Sequence, residues 1–247
     1  MVRVTFRGAA LAGLAIEDPA ASVRLLLPAP GTPANETLYE TPELVIPTWN
    51  GNEFLLPDGR RPTIRTFTPR RLDRDPLELT LDLVVHELGA ASRWAQTAAL
   101  GDPAAISGPG RGYAIDQDAA AFLLAGDETA IPAISQLLEV LPAERPVQVF
   151  IEGPDDGARL DLPQHPRATV VWSTRVPDAS PGDELVAAVR RGDVTAGTRV
   201  WAAGEAAVMQ RIRRHLFEDR AFPRAHATVR GYWKQGRSGD AAGTGDA

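Results

Sequence analysis

Cysteine is absent from the 247 residues, which removes disulfides, thiol nucleophiles, Cys-ligated zinc and Cys-bound iron–sulfur clusters together. Histidine is scarce. His86, His165, His215 and His226 are scattered, with no pair at the i, i+4 spacing of a helical metal site, so no built-in metal centre is expected. Lys234 is the one lysine among 26 cationic side chains, the rest being arginine; with abundant Ala, Gly and Pro this reads as a GC-rich coding bias. There is no basic surplus either: 26 cations face 32 carboxylates, a formal charge of −6 that argues against nucleic acid as a partner. No apolar run approaches the roughly 18–20 residues that cross a bilayer. The opening MVRVTFRGAA lacks the apolar core of a signal peptide. The expectation is a soluble, cytoplasmic protein with no membrane partner.

Hydrophobic residues make up 44% and charged residues 23%, enough apolar surface for a proper core. At ~100–200 residues per domain, the length suits one large domain or two modest ones. The first half reads as β-structure: Val2–Phe6, Ser22–Leu27, Ile64–Phe67 and Leu77–Val85 are short β-rich runs bounded by Gly, Pro, Asn and Asp. LELTLDLVV at 77–85 alternates and then turns continuously apolar, which predicts a strand half-exposed at its start and buried at its end. The Pro-, Gly- and Asn-rich stretch 28–61 is either functional or a surface insertion. Ser92–Leu100 has helical spacing, with Ser92 where an N-cap would stand.

Beyond Gly108–Gly112, which suits an interdomain turn better than a dinucleotide fingerprint, the rhythm changes. Strands at Ala121–Ala125, Val147–Ile151, Thr169–Trp172, Arg199–Ala203 and Ala225–Arg230 alternate with helices at Thr129–Leu141, Asp183–Arg190 and Glu205–Glu218, the pattern of a parallel sheet with crossover helices. Val208, Ile212 and Leu216 form the apolar stripe of the last helix. The expected division is an all-β domain over 1–115, an α/β domain over 116–236 and a disordered tail over 237–247.

Four segments carry candidate chemistry. Six arginines fall between Arg60 and Arg74 of an acidic chain. Within them Arg65-Thr66-Phe67-Thr68 lies on a predicted strand, so Arg65 and Phe67 share one face and Thr66 and Thr68 the other unless a bend intervenes. That face suits a ligand with a phosphate and a ring; a solvated basic strand edge fits the spacing too. The second, His86-Glu87-Leu88-Gly89-Ala90-Ala91-Ser92, follows Val84-Val85 and enters a helix, where small residues let backbone N–H groups approach an anion; a plain strand–turn–helix has the same composition. The third and fourth are strand-to-helix turns, Gly126-Asp127-Glu128-Thr129-Ala130 and Trp201-Ala202-Ala203-Gly204-Glu205, at the sheet end where open α/β folds bind nucleotides.

Five collinear blocks, RTFTPRR (65–71), GAASRWAQTAALGD (89–102), LLAGDETAIPAI (123–134), WAAGEAAVMQRIRRHL (201–216) and GYWKQG (231–236), resemble the siderophore-interacting protein family of ferredoxin-reductase-like flavoproteins. The resemblance implies an N-terminal antiparallel FAD-binding β-barrel and a C-terminal parallel-sheet NAD(P)H-binding domain. It implies an FAD-dependent ferric-siderophore reductase that uses NADPH or NADH to convert chelated Fe(III) to Fe(II). By motif position, Arg65 holds an FAD phosphate, Phe67 packs on the ring system or ribityl chain and Thr68 reaches the flavin edge, with Thr66 beside them. Val84, His86, Gly89, Ala90, Ala91 and Ser92 cradle the pyrophosphate. Asp127, Thr129, Ala130 and Trp233 also fall to FAD, with Tyr232, Trp233 and Lys234 closing the flavin pocket. Gly126, Glu128, Arg175, Gly204 and Glu205 fall to the nicotinamide nucleotide, Arg175 being one cation able to meet a 2′-phosphate. Lys234 and Arg111 fall to the anionic siderophore. Phe67 stands where the family commonly has tyrosine, and Ala90 where it commonly has proline. A ferredoxin donor, a general flavin reductase or diaphorase, and a non-catalytic ferric-siderophore binder stay open as alternatives.

Overall fold

The computed structural model describes residues 1–27, 44–86, 89–176 and 180–236. The expected tail at 237–247 and the first part of the 28–61 stretch lie outside the described residues. The described chain forms two compact units, one of residues 1–16 and 21–111, the other of 17–20 and 112–236.

The first unit contains β1 (Val2–Arg7), β2 (Val23–Leu27), the short hairpin β3 (Thr48–Trp49) and β4 (Phe54–Leu55), then β5 (Thr63–Phe67), β6 (Pro69–Arg74), β7 (Leu77–Leu83), helix α1 (Ala90–Thr97) and β8 (Ala105–Ser107). Two antiparallel three-stranded sheets, β1-β7-β6 and β5-β2-β8, share one core. Side-chain alternation explains the pairing. Val2, Val4 and Phe6 lie opposite Leu83, Leu81 and Leu79, whereas Arg3, Thr5 and Arg7 lie opposite Asp82, Thr80 and Glu78. The leucines are fully buried, and the outward set makes the cross-strand Arg3–Asp82 and Arg7–Glu78 ion pairs. Strict alternation runs to Leu83, where the strand stops; Val84 and Val85 lie beyond it, half-buried, and do not extend it as a buried end. The strands β6 and β8 were not anticipated, because Pro69-Arg70-Arg71 and a three-residue Ala-Ile-Ser carry little β-pattern.

The second unit contains β9 (Ala121–Asp127), α2 (Ile131–Val140), β10 (Val147–Gly153), β11 (Ala168–Thr174), α3 (Asp183–Arg191), β12 (Thr198–Glu205), α4 (Ala206–Arg214) and β13 (Ala227–Trp233). Its sheet is entirely parallel, in the order β11-β10-β9-β12-β13. The apolar run AFLLA is the centre strand, and the physical reason is that both of its faces are covered. Phe122 and Leu124 pack with α2 through Ile131, Ile134 and Leu137. Leu123 and Ala125 pack on the opposite face with Leu185 and Val189 of α3 and with Val208 and Ile212 of α4. Val208, Ile212 and Leu216 are all buried as the stripe predicts, although regular α-helix stops at Arg214 and a wider π-helical turn, His215–Asp219, carries the chain on. Among the described residues no helix is long and apolar enough to cross a membrane.

Candidate functional site

In the first unit, Arg65 and Phe67 lie opposite Leu25 and Val23 on β2, so they project toward the side that carries the core. Phe67 packs partly on that core, and Arg65 is half-buried, its guanidinium donating to the Ile64 carbonyl at 2.9 Å. Thr66 is exposed on the outer face. Thr68 is buried, because the chain bends between β5 and β6 and takes that hydroxyl off the face of Thr66. The rest of the arginine-rich segment is dispersed among local acids: Arg60 pairs with Asp58 at 2.6 Å, Arg61 with Glu53, and Arg71 with Asp73 at 2.8 Å, while Arg74 donates to the Leu14 carbonyl.

The turn into α1 differs from the N-cap expectation. Gly89 occupies the N-cap with no side-chain cap, and Ser92 is already inside the helix. The buried Ser92 hydroxyl accepts from the His86 amide at 3.0 Å and stands 3.5 Å from the Val84 carbonyl, so it fixes the approach to the helix. A Cβ on Gly89 would meet the exposed His86 ring at 2.6 Å and the Ser92 hydroxyl at 3.0 Å. The first turn of α1, with Ala90 and Ala91, holds no acidic residue. Among the described residues, an uncapped helix start with no carboxylate in its first turn, reached through a glycine against which the His86 ring packs closely, has features that fit a pyrophosphate. Gly89→Ala is expected to displace His86 and weaken FAD binding about tenfold, while melting temperature shifts little because the His86 ring has solvent to move into. Titration of apoprotein with FAD checks this.

In the second unit the strand order reverses between β9 and β12, which places the carboxyl ends of those strands at a topological switch point. Gly126-Asp127 ends β9, and Gly204-Glu205 ends β12 beside it. Asp127 is buried. One of its carboxylate oxygens accepts from the Thr129 amide at 2.9 Å and from the Thr129 hydroxyl; the other accepts from the Glu205 amide at 2.8 Å and from Trp233 Nε1 at 2.9 Å. Burial pushes its carboxyl above the usual carboxylate range, against the pull of these four donors. Burial, together with the Asp127 charge, raises the Glu128 carboxyl as well. Glu205 is the N-cap of α4 and accepts from Ala207 and Val208, and its second oxygen accepts from the Gln235 amide at 3.2 Å.

Glu152, at the end of β10, is a site residue that sequence reasoning missed. It is buried and accepts from the Gly182 amide at 2.9 Å and the Leu185 amide at 3.3 Å, capping α3 from another strand. The available signal was an acid beside glycine at the end of each buried strand: Gly126-Asp127, Glu152-Gly153 and Gly204-Glu205. Arg175, just past β11, stands 3.5 Å from Glu128 and 3.9 Å from Glu152. Asp127, Glu152, Arg175, Gly182, Glu205 and Trp233 line a small cleft of about 10 Å³, room for about one water.

The structure therefore gathers Asp127, Glu128, Thr129, Arg175, Gly204, Glu205 and Trp233 at the carboxyl ends of the parallel strands. Two of the expected ligand contacts change character. Ala130 is fully buried against Gly126 and serves packing, and the Asp127 oxygens are engaged by donors of the chain itself. Lys234 is exposed directly after β13, and Arg111 is exposed at the end of the first unit.

The family description "Siderophore-interacting FAD-binding domain" matches residues 1–113, and "Siderophore-interacting protein" matches residues 119–236. An uncharacterised protein of Mycobacterium tuberculosis is 40% identical over 197 residues, covering 74% of this chain and 69% of that protein. Ferric vibriobactin reductase ViuB of Vibrio cholerae is 28% identical over 247 residues, covering 98% of this chain and 86% of the reductase. The crystal structure of a siderophore utilization protein from T. fusca superposes with a TM-score of 0.74 at 32% identity, over 96% of this chain and 87% of the other. Antiparallel sheets followed by a five-stranded parallel sheet is the ferredoxin-reductase-like fold.

Proposed function

The chain belongs to the siderophore-interacting protein family, and on that premise we propose that it is an FAD-dependent reductase that takes electrons from NADH or NADPH and delivers them to Fe(III) held in a siderophore. One observation supports this most: strand order reverses between β9 and β12, where doubly wound sheets take nucleotides, and the Trp233 indole is tied to the end of β9 at that point. When bound, FAD would supply the redox chemistry, two-electron hydride acceptance and one-electron transfer that would reduce Fe(III) to Fe(II), with the residues named below holding it.

The chain supplies binding and orientation. Arg65 gives a permanent positive charge to an FAD phosphate, and Phe67 gives an apolar plane on the same face of β5. Thr68 offers a hydroxyl at the bend, and Thr66 flanks them on the outer side. The turn of Val84, His86, Gly89, Ala90, Ala91 and Ser92 receives the pyrophosphate at a helix start that no side chain caps. In the second unit, Gly126, Glu128, Arg175, Gly204 and Glu205 form the rim that takes the nicotinamide nucleotide, with Asp127 and Thr129 holding that rim and the Trp233 indole in place. Lys234 and Arg111, both exposed, offer charge to an anionic siderophore. Hard oxygen donors hold Fe(III) more tightly than Fe(II), so reduction loosens the chelate and releases iron.

The purified protein is expected to be yellow, to lose its absorbance at about 450 nm under anaerobic NADH or NADPH, and to regain it on adding a ferric siderophore. Arg65→Ala is expected to weaken FAD binding by ten- to a hundredfold, the scale of a charge-assisted hydrogen bond. A colourless protein that cannot be loaded with FAD would make it a ferric-siderophore binder. Re-oxidation by free flavin or dyes but not by ferric siderophores would make it a diaphorase.

A further inference from the structure

The cleft at the strand ends is unusual in how its positive charge has been used up. Three buried carboxylates stand at its strand ends: Glu152 and Glu205 cap the starts of α3 and α4, and Asp127 caps the 3₁₀ turn, Glu128–Ala130, that precedes α2. Asp127 accepts from Thr129 in the turn leading into α2, Glu152 accepts from Gly182 and Leu185 at α3, and Glu205 accepts from Ala207 and Val208 at α4. The partial positive charge of a helix start, which ordinarily attracts a phosphate, is met at each by an internal anion. Arg175 is the one cation among the described residues that line the cleft. It lies between Glu128 and Glu152, and its Nε is buried without a hydrogen-bond partner, held near carboxylates without a close bond to either. Two carboxylates thus flank the one guanidinium.

From this we infer that the second unit discriminates against a 2′-phosphorylated nucleotide and takes NADH in preference to NADPH, with Glu128 and Glu152 as the specificity-determining residues. The inference rests on the reading of this unit as a nicotinamide-nucleotide domain. NADPH differs from NADH by one phosphomonoester, close to two extra negative charges at neutral pH, and the arginine that would pair with it is already shared by two carboxylates. Specificity here comes from repulsion as much as from attraction.

Three measurements on the flavin-loaded protein test this. Anaerobic flavin reduction is expected to show kcat/KM at least tenfold higher with NADH than with NADPH. Calorimetric titration with 5′-AMP and 2′,5′-ADP isolates the single phosphate: 2′,5′-ADP is expected to bind at least threefold more weakly at low salt, with the gap narrowing at high salt as the carboxylate field is screened. Glu128→Gln, which removes one of the competing anions, is expected to shift the NADPH-to-NADH ratio at least fivefold toward NADPH. Equal or better use of NADPH, or tighter binding of 2′,5′-ADP, overturns the inference and leaves the donor reading standing. An unchanged ratio in Glu128→Gln overturns it too. Reduction by dithionite but by neither nucleotide overturns the donor reading and this inference together. Should the Glu128 variant fail to fold, the two nucleotide comparisons on the unaltered protein decide the matter.

Discussion

Gly126→Ala is expected to destabilise the second unit by about 3 kcal/mol or more, lowering its melting temperature by roughly 10 °C. A Cβ there would lie 2.3 Å from the Ala130 methyl and 2.6 Å from the Ala203 carbonyl oxygen. Neither neighbour is the free end of a flexible side chain. Ala130 begins the chain's entry into α2, and Ala203 is backbone of the adjacent strand β12, paired in register with Gly126 itself. Relief would require prying β9 from β12 at the switch point, so the damage should spread to the carboxyl ends of both strands. Differential scanning calorimetry checks the first effect; a melting temperature within 2 °C of the parent would show that the two strands separate there at little cost.

Asp127→Ala is expected to cost about 3–5 kcal/mol, because it leaves buried donors on Thr129, Glu205 and Trp233 without an acceptor. Asp127→Asn removes the titrating group but also turns one acceptor into an NH2 that faces two donors, so its absolute stability falls too and the pH slope is the readout. Burial raises the carboxyl in the folded chain above its unfolded value, so between those two values the folded state binds more protons than the unfolded state. The contribution of this group is then largest below the ordinary carboxylate range and declines as pH rises through the folded pKa. Denaturant unfolding of the parent and of Asp127→Asn across pH 4 to 8 should show that decline in the parent and its loss in the variant. Identical pH slopes would mean that the four donors cancel the burial penalty.

What could be read in advance, and what could not, divides along a physical line. Leu79, Leu81 and Leu83 announce themselves because a two-residue period needs only local sequence, and AFLLA reads as a centre strand because burial on both faces leaves no polar position. Ser92 was misplaced because a serine two residues inside a helix has the same composition as one at its start, and only the His86 amide shows where its hydroxyl is used. Glu152 escaped notice for a related reason. A carboxylate after an apolar strand reads as a surface residue, and the amides that draw it inward come from Gly182 and Leu185, some 30 residues onward. Asp127 is expected from its turn to face a ligand, whereas its observed use as a tie among three segments depends on Trp233, 106 positions away. Local pattern reports faces; partners brought together by topology are invisible to it.

The position of β9 in the sheet has a consequence for synthesis on the ribosome. This strand pairs on one side with β10, which follows it closely, and on the other with β12, whose residues emerge some 70 positions later. A nascent chain that has produced three strands of the sheet still has one whole flank of its most apolar strand bare, and Asp127 still lacks both its Glu205 and its Trp233 partners. That interval is when the polypeptide is most exposed to mispairing with a neighbour and most in need of a chaperone, and it closes only when β12 slides in beside β9.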